Sequence, residues 1–190
     1  MFPAAADDAA ILSQIESANS SLSTVQASFT HKNVKSGKTS NYSGTYYYSA
    51  GSLAMAYTTD EESLIATPSA LYVKHKGKVH KGDPAHNARM RSLSNTLINC
   101  IKGKITTVAE ENKADWSLKN DGSLYSITIT AKKKASKGYA SITLKYRKSD
   151  CLLTALRLEE FNGTVNEYAL SDIKTGVSVS ADLFKIPSKG

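Results

Sequence analysis

The sequence predicts an α+β fold, mostly antiparallel β, and three observations carry that reading. Two segments repeat apolar residues at helical spacing, many more alternate apolar with polar residues, and close-set turn signals join these as hairpins. Antiparallel strands with one dry and one wet face curl into a concave sheet whose inner side needs covering. Two amphipathic helices are available to cover it. A chain of 190 residues lies in the single-domain size range. No linker, solenoid repeat or low-complexity stretch divides it, so one domain over residues 1–190 is expected.

The first helix is expected from Asp7 to Leu22, where Ile11, Leu12, Ile15, Ala18 and Leu22 form one apolar stripe and Asp7 and Asp8 complement the N-terminus. Ser20, Ser21 and Ser23 break it. Val25, Ala27 and Phe29 then alternate with Gln26, Ser28 and Thr30 as a strand. Tyr46-Tyr47-Tyr48 has the aromatic content of a half-buried strand, and Gly51-Ser52 turns the chain into a third one carrying Leu53, Met55 and Tyr57 on one side. Ser63 to Thr67 and Ala70 to His75 pair across Pro68-Ser69.

Asp83-Pro84 opens the second helix, whose stripe is Met90, Leu93, Leu97 and Ile101, joined by Ile98, and which Gly103 stops. A meander follows. Trp116 and Leu118 lead through Asn120-Asp121-Gly122 to Tyr125, Ile127 and Ile129; next come Ala140, Ile142, Leu144 and Tyr146, then Leu152, Leu156 and Leu158. Each of these strands has one apolar and one polar face. Asn162-Gly163 is a two-residue hairpin signal leading to a strand through Tyr168 and Leu170. A last strand is expected at Leu183 to Ile186, stopping at Pro187, which cannot donate to a ladder.

Composition narrows the function classes. Hydrophobic residues make up 41% of the chain, mean hydropathy is −0.32, and no apolar run approaches the ~18 residues of a membrane span. The net charge of +7 comes largely from loop lysines: Lys132, Lys133, Lys134 and Lys137 in one hairpin tip, and Lys74, Lys76, Lys78 and Lys81 around another. Such runs are solvated turns, or a surface that meets anionic headgroups or an acidic partner. Cys100 and Cys151 have no C-x-x-C spacing, which excludes a cysteine-rich zinc module and leaves a disulfide open. Cys151 follows the Ser149-Asp150 turn and Cys100 sits at a helix end beside inward Leu97 and Ile101, so two free thiols are expected.

No catalytic constellation stands out. His31, His75, His80 and His86 lack metal-ligand spacing, the pairs Glu61-Glu62 and Glu159-Glu160 alternate across a strand, and there is neither a Gly-x-Ser-x-Gly elbow nor a phosphate-binding loop. No enzymatic activity, metal or cofactor is expected. Tyr46 to Tyr48 amid basic residues could stack single-stranded nucleic acid. Tyr46 and Tyr48 instead continue the apolar parity, and no nucleic-acid partner is expected.

Several segments, in order, resemble the bacterial outer-membrane lipoprotein carriers, the LolA-like family. Leu22 to Phe29 (LSTVQASF) resembles its first strand, Ser43-Gly44-Thr45-Tyr46 its second, and Glu62 to Thr67 with Leu71-Tyr72-Val73 its hairpin. Asn162 to Lys174 and Leu183 to Gly190 resemble its C-terminus. The likeness covers Ile11 to Val73 and Leu152 to Pro187, with the middle agreeing in pattern only. It implies an incomplete, half-open antiparallel β-barrel covered by amphipathic helices, whose cavity shelters acyl chains of lipoproteins, or other lipids, crossing the periplasm. It also implies an inner-membrane release complex and an outer-membrane acceptor as partners, and a monomer is expected. Met1 to Ala6 lacks the basic and apolar regions of a secretory signal, so either the protein is cytoplasmic or the signal has been removed; the resemblance favours a periplasmic protein that has lost it, with Ala4 and Ala6 as the remnant of the cleavage site.

The family's Arg-Pro falls here at Ala50-Gly51 and its aromatic pair at Leu53 and Met55. That arginine is tied in the family to holding the lid closed and moving cargo onward. The expected ligand-lining residues are Phe29, Tyr46, Tyr48, Leu53, Met55, Ile127, Ile129, Ile142, Leu144, Leu156, Leu158, Tyr168 and Leu170. A cavity wall and a packed core share the same alternation, so both remain open for each. The other function class in view is a periplasmic sensor or scaffold that binds a protein or lipid signal on the same fold.

Overall fold

The structure, a computed structural model, describes residues 6–83, 86 and 88–188. The expected helix start at Pro84, the side chains of Met90 and Ala6, Ala4 and the terminal Lys189-Gly190 lie outside the described residues. The strands are β1 (Thr24–Lys35), β2 (Lys38–Ser49), β3 (Ser52–Tyr57), β4 (Ser63–Ala66), β5 (Leu71–His75), β6 (Lys78–Gly82), β7 (Ala114–Asp121), β8 (Leu124–Ala131), β9 (Tyr139–Arg147), β10 (Leu153–Glu160) and β11 (Val165–Thr175). The helices are α1 (Ala6–Ser20), α2 (Ala88–Ile101) and α3 (Ile105–Glu111).

All eleven strands form one antiparallel sheet in the order β6-β5-β4-β3-β2-β1-β11-β10-β9-β8-β7, and it is not closed. The chain steps outward by hairpins from β1 to the edge strand β6. It then passes through α2 and α3 and starts again at the opposite edge, β7, returning by hairpins to β11 beside β1. The expected fold class is what the structure has.

Two compact units divide the chain, with β1, β2, β11 and α2 running through both. The first comprises the described residues within Met1–Ser21, Thr30–Asn41 and Asn99–Leu170. Its core joins Leu12 and Ile15 of α1, Ile105, Val108 and Ala109 of α3, and Ile127, Ile129, Ile142, Leu144, Tyr146 and Leu158 of the strands. The turn after α2 must pass close to α1. Gly103 has φ +69°, and a Cβ there would lie 2.9 Å from Ile15 Cγ2 and 3.0 Å from Ile15 O, so only glycine fits without a shift. Buried Asn19 ties the other end of α1: its Nδ2 donates to Ile15 O at 2.8 Å and to Cys151 O at 2.7 Å.

The second unit comprises Leu22–Phe29, Tyr42–Ile98 and Ser171–Gly190, within the described residues. Here the sheet is buried on both faces. Tyr46, Tyr48, Leu53, Met55, Ala66 and Leu71 occupy one side, and Ala54, Ile65 and Tyr72 the other, where Tyr47, Val79, Leu183, Phe184 and Ile186 pack on them.

Four expectations are corrected. The last strand does not form: Ala181–Phe184 is a turn of 3-10 helix, capped by Ser180 Oγ accepting from Asp182 N–H, and the segment to Ile186 lies as cover over Ala54, Ile65 and Tyr72. Consecutive Leu183 and Phe184 suit such a cover better than a period-two strand. A third helix, α3, exists beyond the two expected. Leu153 rather than Leu152 begins the buried side of β10, because a bulge between Leu153 and Ala155 shifts its parity. On α2, Leu93 and Leu97 are only half-buried, whereas Ser94, Thr96 and Cys100 are sealed. At the C-terminal end of that helix, the small Cys100 side chain leaves the backbone open to the Tyr146 hydroxyl, which donates to Cys100 O at 2.9 Å.

Candidate functional site

The thirteen expected lining residues fall into two groups, one in each unit. Phe29, Tyr46, Tyr48, Leu53 and Met55 belong to the second unit and are all buried. Antiparallel register sets Tyr46 opposite Met55 and Tyr48 opposite Leu53, so their side chains share a face. Tyr57 extends that face, its ring edge-on to Phe29 at 4.9 Å and to Tyr42 at 6.0 Å. Burial, reinforced by neighbouring Tyr48, raises the Tyr46 phenol well above its ordinary value; burial raises Tyr48 too, against a lowering backbone hydrogen bond at Gly51. Both phenols are neutral at physiological pH.

Ile127, Ile129, Ile142, Leu144, Leu156, Leu158, Tyr168 and Leu170 belong to the first unit. Register aligns most of them in two cross-strand rows. One runs Leu118, Ile127, Leu144, Leu156, Tyr168 from β7 to β11, and the other Trp116, Ile129, Ile142, Leu158, Asn166. Half-buried Leu170 continues the parity of Tyr168 along β11. Ile127 and Leu144 have 0% exposure, while Leu156 and Tyr168 are only half-buried. Neither row contains a charged side chain.

Beside these rows α3 packs on β7 and β8. A groove of about 140 Å³ lies between α1 and α3, lined by Leu12, Gly103, Ile105, Thr106 and Trp116 among others. Ligand pockets for drug-sized molecules have about 300–1,000 Å³. The groove as it stands is smaller than such a pocket.

Sequence reasoning missed part of this surface. Trp116, Leu118 and Tyr57 lie on the same faces as the expected residues, and their strand parity was the available signal. It gave no sign of the polar end of the rows, where β1 continues through buried His31 and Asn33. Asn166 Oδ1 accepts from His31 Nε2 at 2.9 Å and from Asn33 Nδ2 at 2.8 Å, and the His31 ring stacks on Tyr168 at 4.3 Å. Tyr139 belongs to the same surroundings: burial first, then Tyr168, Glu160 and Cys100, push its phenol up.

His75 and His86 make surface or near-surface pairs. His75 Nδ1 lies 3.0 Å from Glu62 Oε2, and His86 Nδ1 lies 2.6 Å from Asp83 Oδ2. Cys100 and Cys151 are free and buried, and burial pushes the Cys100 thiol up to about 12. The basic tips are exposed turns at Lys76-Gly77 and through residues 132–138, where Lys132 Nζ pairs with Asp115 Oδ1 at 3.1 Å. Among the described residues no helix is long and apolar enough to cross a membrane.

Ala50-Gly51 is the two-residue turn joining β2 to β3, with φ of 47° and 84°. A two-residue turn of this hand suits the twist of the flanking strands. Proline is fixed near −65° and could not stand at Gly51 in this turn. The departure from Arg-Pro is therefore a change of local backbone as well as of charge.

The profile of the family "Outer membrane lipoprotein carrier protein LolA" matches residues 20–187. No curated protein sequence matches the chain. Among solved structures, an uncharacterized conserved protein from Thermus thermophilus is similar at 11% identity and TM-score 0.56, covering 96% of each chain, which shows a shared fold. A LolA superfamily protein from Nitrosomonas europaea is similar at 9% identity and TM-score 0.44, covering 94% of this chain and 97% of that one. The MucA/MucB complex of Pseudomonas aeruginosa is similar at 12% identity and TM-score 0.47, covering 96% of this chain and 62% of that one.

Proposed function

Because this chain belongs to the LolA family of outer membrane lipoprotein carriers, we propose that it binds acyl chains of lipoproteins, or of other lipids, and ferries them across the periplasm toward the outer membrane. The observation that supports this most directly is the pair of uncharged rows from β7 to β11, beside the seven-residue helix α3. Neighbouring strands lie ~4.8 Å apart, so four steps span about 19 Å. One leaflet of a ~30 Å hydrocarbon core is about 15 Å deep, and an acyl chain of that length fits along a row.

The mechanism is non-covalent sequestration. About fifteen methylenes at ~0.8 kcal/mol each give about 12 kcal/mol of gross burial. Lifting α3 uncovers Ile105, Val108 and Ala109, at about 1.5–3 kcal/mol for each of the two larger side chains. Cargo burial thus exceeds the cost of lifting these side chains, while without cargo the closed form is favoured. An inner-membrane release complex would load the carrier and an outer-membrane acceptor would empty it. The exposed lysine tips would meet anionic headgroups during either step.

Uptake of a fluorescent fatty acid or a synthetic lipopeptide, with native mass spectrometry before and after organic extraction, tests the reading. Bound lipid lost on extraction is expected. A purified chain that carries no lipid and takes up neither probe would overturn it.

A further inference from the structure

The two rows are apolar on β7 to β10 and change character at β11, where Asn166 stands opposite Leu158 and Tyr168 opposite Leu156. Asn166 is joined to His31 and Asn33 of β1. A carboxamide oxygen only accepts, so His31 presents Nε2–H to it, and Asn33 supplies an amide N–H. Burying such groups is costly unless each finds a partner, and an uninterrupted apolar row would close a core without that cost. Exposure also differs along the rows. Ile127, Leu144, Ile142 and Leu158 are 0–3% exposed, whereas Asn166 and Tyr168 are half-buried and Asn33 retains 9%. The β7 end of the rows, Trp116 and Leu118, is half-buried as well, so what distinguishes the β11 end is that it carries carboxamide and imidazole groups.

Resting on the carrier reading, we infer that Asn166, Asn33 and His31 form the subsite for the acyl carbonyl, ester or amide, at the head of a chain lying along the rows. Their N–H groups can turn from one another to a carbonyl oxygen, a pure acceptor, when the lid opens. The stacked rings of His31 and Tyr168 wall the first carbons of the chain. The donors that meet Asn166 Oδ1 are an imidazole N–H and a carboxamide N–H, which suit a carbonyl oxygen as acceptor. Acylated lipoproteins and phospholipids both offer that group.

The test compares pyrenedecane with the methyl ester of pyrenedecanoic acid, the same fluorophore without and with a terminal carbonyl. The parent should bind the ester more tightly. Asn166→Leu should lower the ratio of ester to hydrocarbon affinity about fivefold or more, the loss of roughly one net hydrogen bond. Asn33→Leu should act in the same direction, and thermal unfolding shows whether each variant is folded. A ratio unchanged in both folded variants, or an equal fall for both probes, would overturn the subsite. A parent that binds neither probe fails the carrier reading itself, and the subsite with it. In competition, a diacyl lipopeptide and phosphatidylglycerol should both displace the ester, and both less well from Asn166→Leu. Displacement by only one of them would place recognition outside the shared carbonyl and overturn the inference.

Discussion

Gly103→Ala bears on how the junction of α2 and α3 is seated against α1, and so on the opening that the carrier proposal requires. The glycine has φ +69°, a region that costs an L-residue about 1–2 kcal/mol. The new Cβ would also meet Ile15 Cγ2 at 2.9 Å and Ile15 O at 3.0 Å. The side-chain methyl can rotate away, but the carbonyl belongs to the α1 backbone and moves only with the helix. Overpacking of this kind costs about 1–3 kcal/mol. Together the two effects remove about 2–5 kcal/mol from a stability on the order of 5–15 kcal/mol. At about 2–4 °C per kcal/mol for a chain of this size, Tm should fall by roughly 4–20 °C. Circular dichroism on heating reads that shift, and stopped-flow uptake of a pyrene-labelled chain reads the lid. Because Gly103 joins α2 to α3 and touches α1, the variant should take up probe faster at temperatures where it stays folded. A Tm within about 2 °C of the parent would refute the close approach. A lowered Tm with unchanged uptake would show that this junction does not govern opening.

Other perturbations probe separate parts of the molecule. Met55→Asp places a carboxylate between Tyr46 and Leu64 on the buried face of β3, at a cost of several kcal/mol, and uptake should be lost; a folded variant that binds as the parent does would remove this face from the ligand wall. The Cys100 thiol, pushed up to about 12, should alkylate slowly in the native protein at pH 8, whereas both thiols should react after denaturation without reductant; protection of both would reveal a bridge. Asn19→Ala removes both hydrogen bonds that Nδ2 donates and should cost about 1–3 kcal/mol, read in denaturant unfolding, and a neutral result would show that water replaces them. Ala50→Arg restores the family's charge at an exposed turn already at positive φ, so it should alter the rate of transfer to acceptor vesicles more than lipid capacity; equal transfer rates would show that this chain does not use that latch.

Most of the fold was legible because periodicity and turns agreed. Apolar spacing gave α1 to within about two residues at its C-terminus, and Asn162-Gly163 marked the β10–β11 hairpin where the structure has it. The misses have physical causes. Helix α3 is seven residues long and presents only Ile105, Val108 and Ala109, too little for a periodic signal so soon after Gly103. Leu183 and Phe184 read as strand because local propensity favours it, while their role is set by an apolar patch on Ala54, Ile65 and Tyr72 that is remote in sequence. The bulge in β10 shifts parity by one, and nothing in Leu152 or Leu153 announces it.

The site was legible in parity and obscure in kind. Alternation picked out Ile127, Ile129, Ile142 and Leu144, and their register confirms a common face. It could not say whether that face is a packed core or a wall that opens, since both require the same alternation. What separates the two is the nature of the cover, and here α3 is short and fixed to the strands through few apolar side chains. A helix of seven residues is far below the length that holds itself together in water, so its helicity depends on the sheet beneath it. Displacing it by lipid therefore costs mainly its packing on β7 and β8, which the entering chain can replace. The polar side chains that close the rows, His31, Asn33 and Asn166, look in sequence like ordinary surface residues of two separate strands. Only the sheet order, which sets β1 beside β11, brings them to one end of an apolar row, and the proposed carbonyl subsite rests on that adjacency.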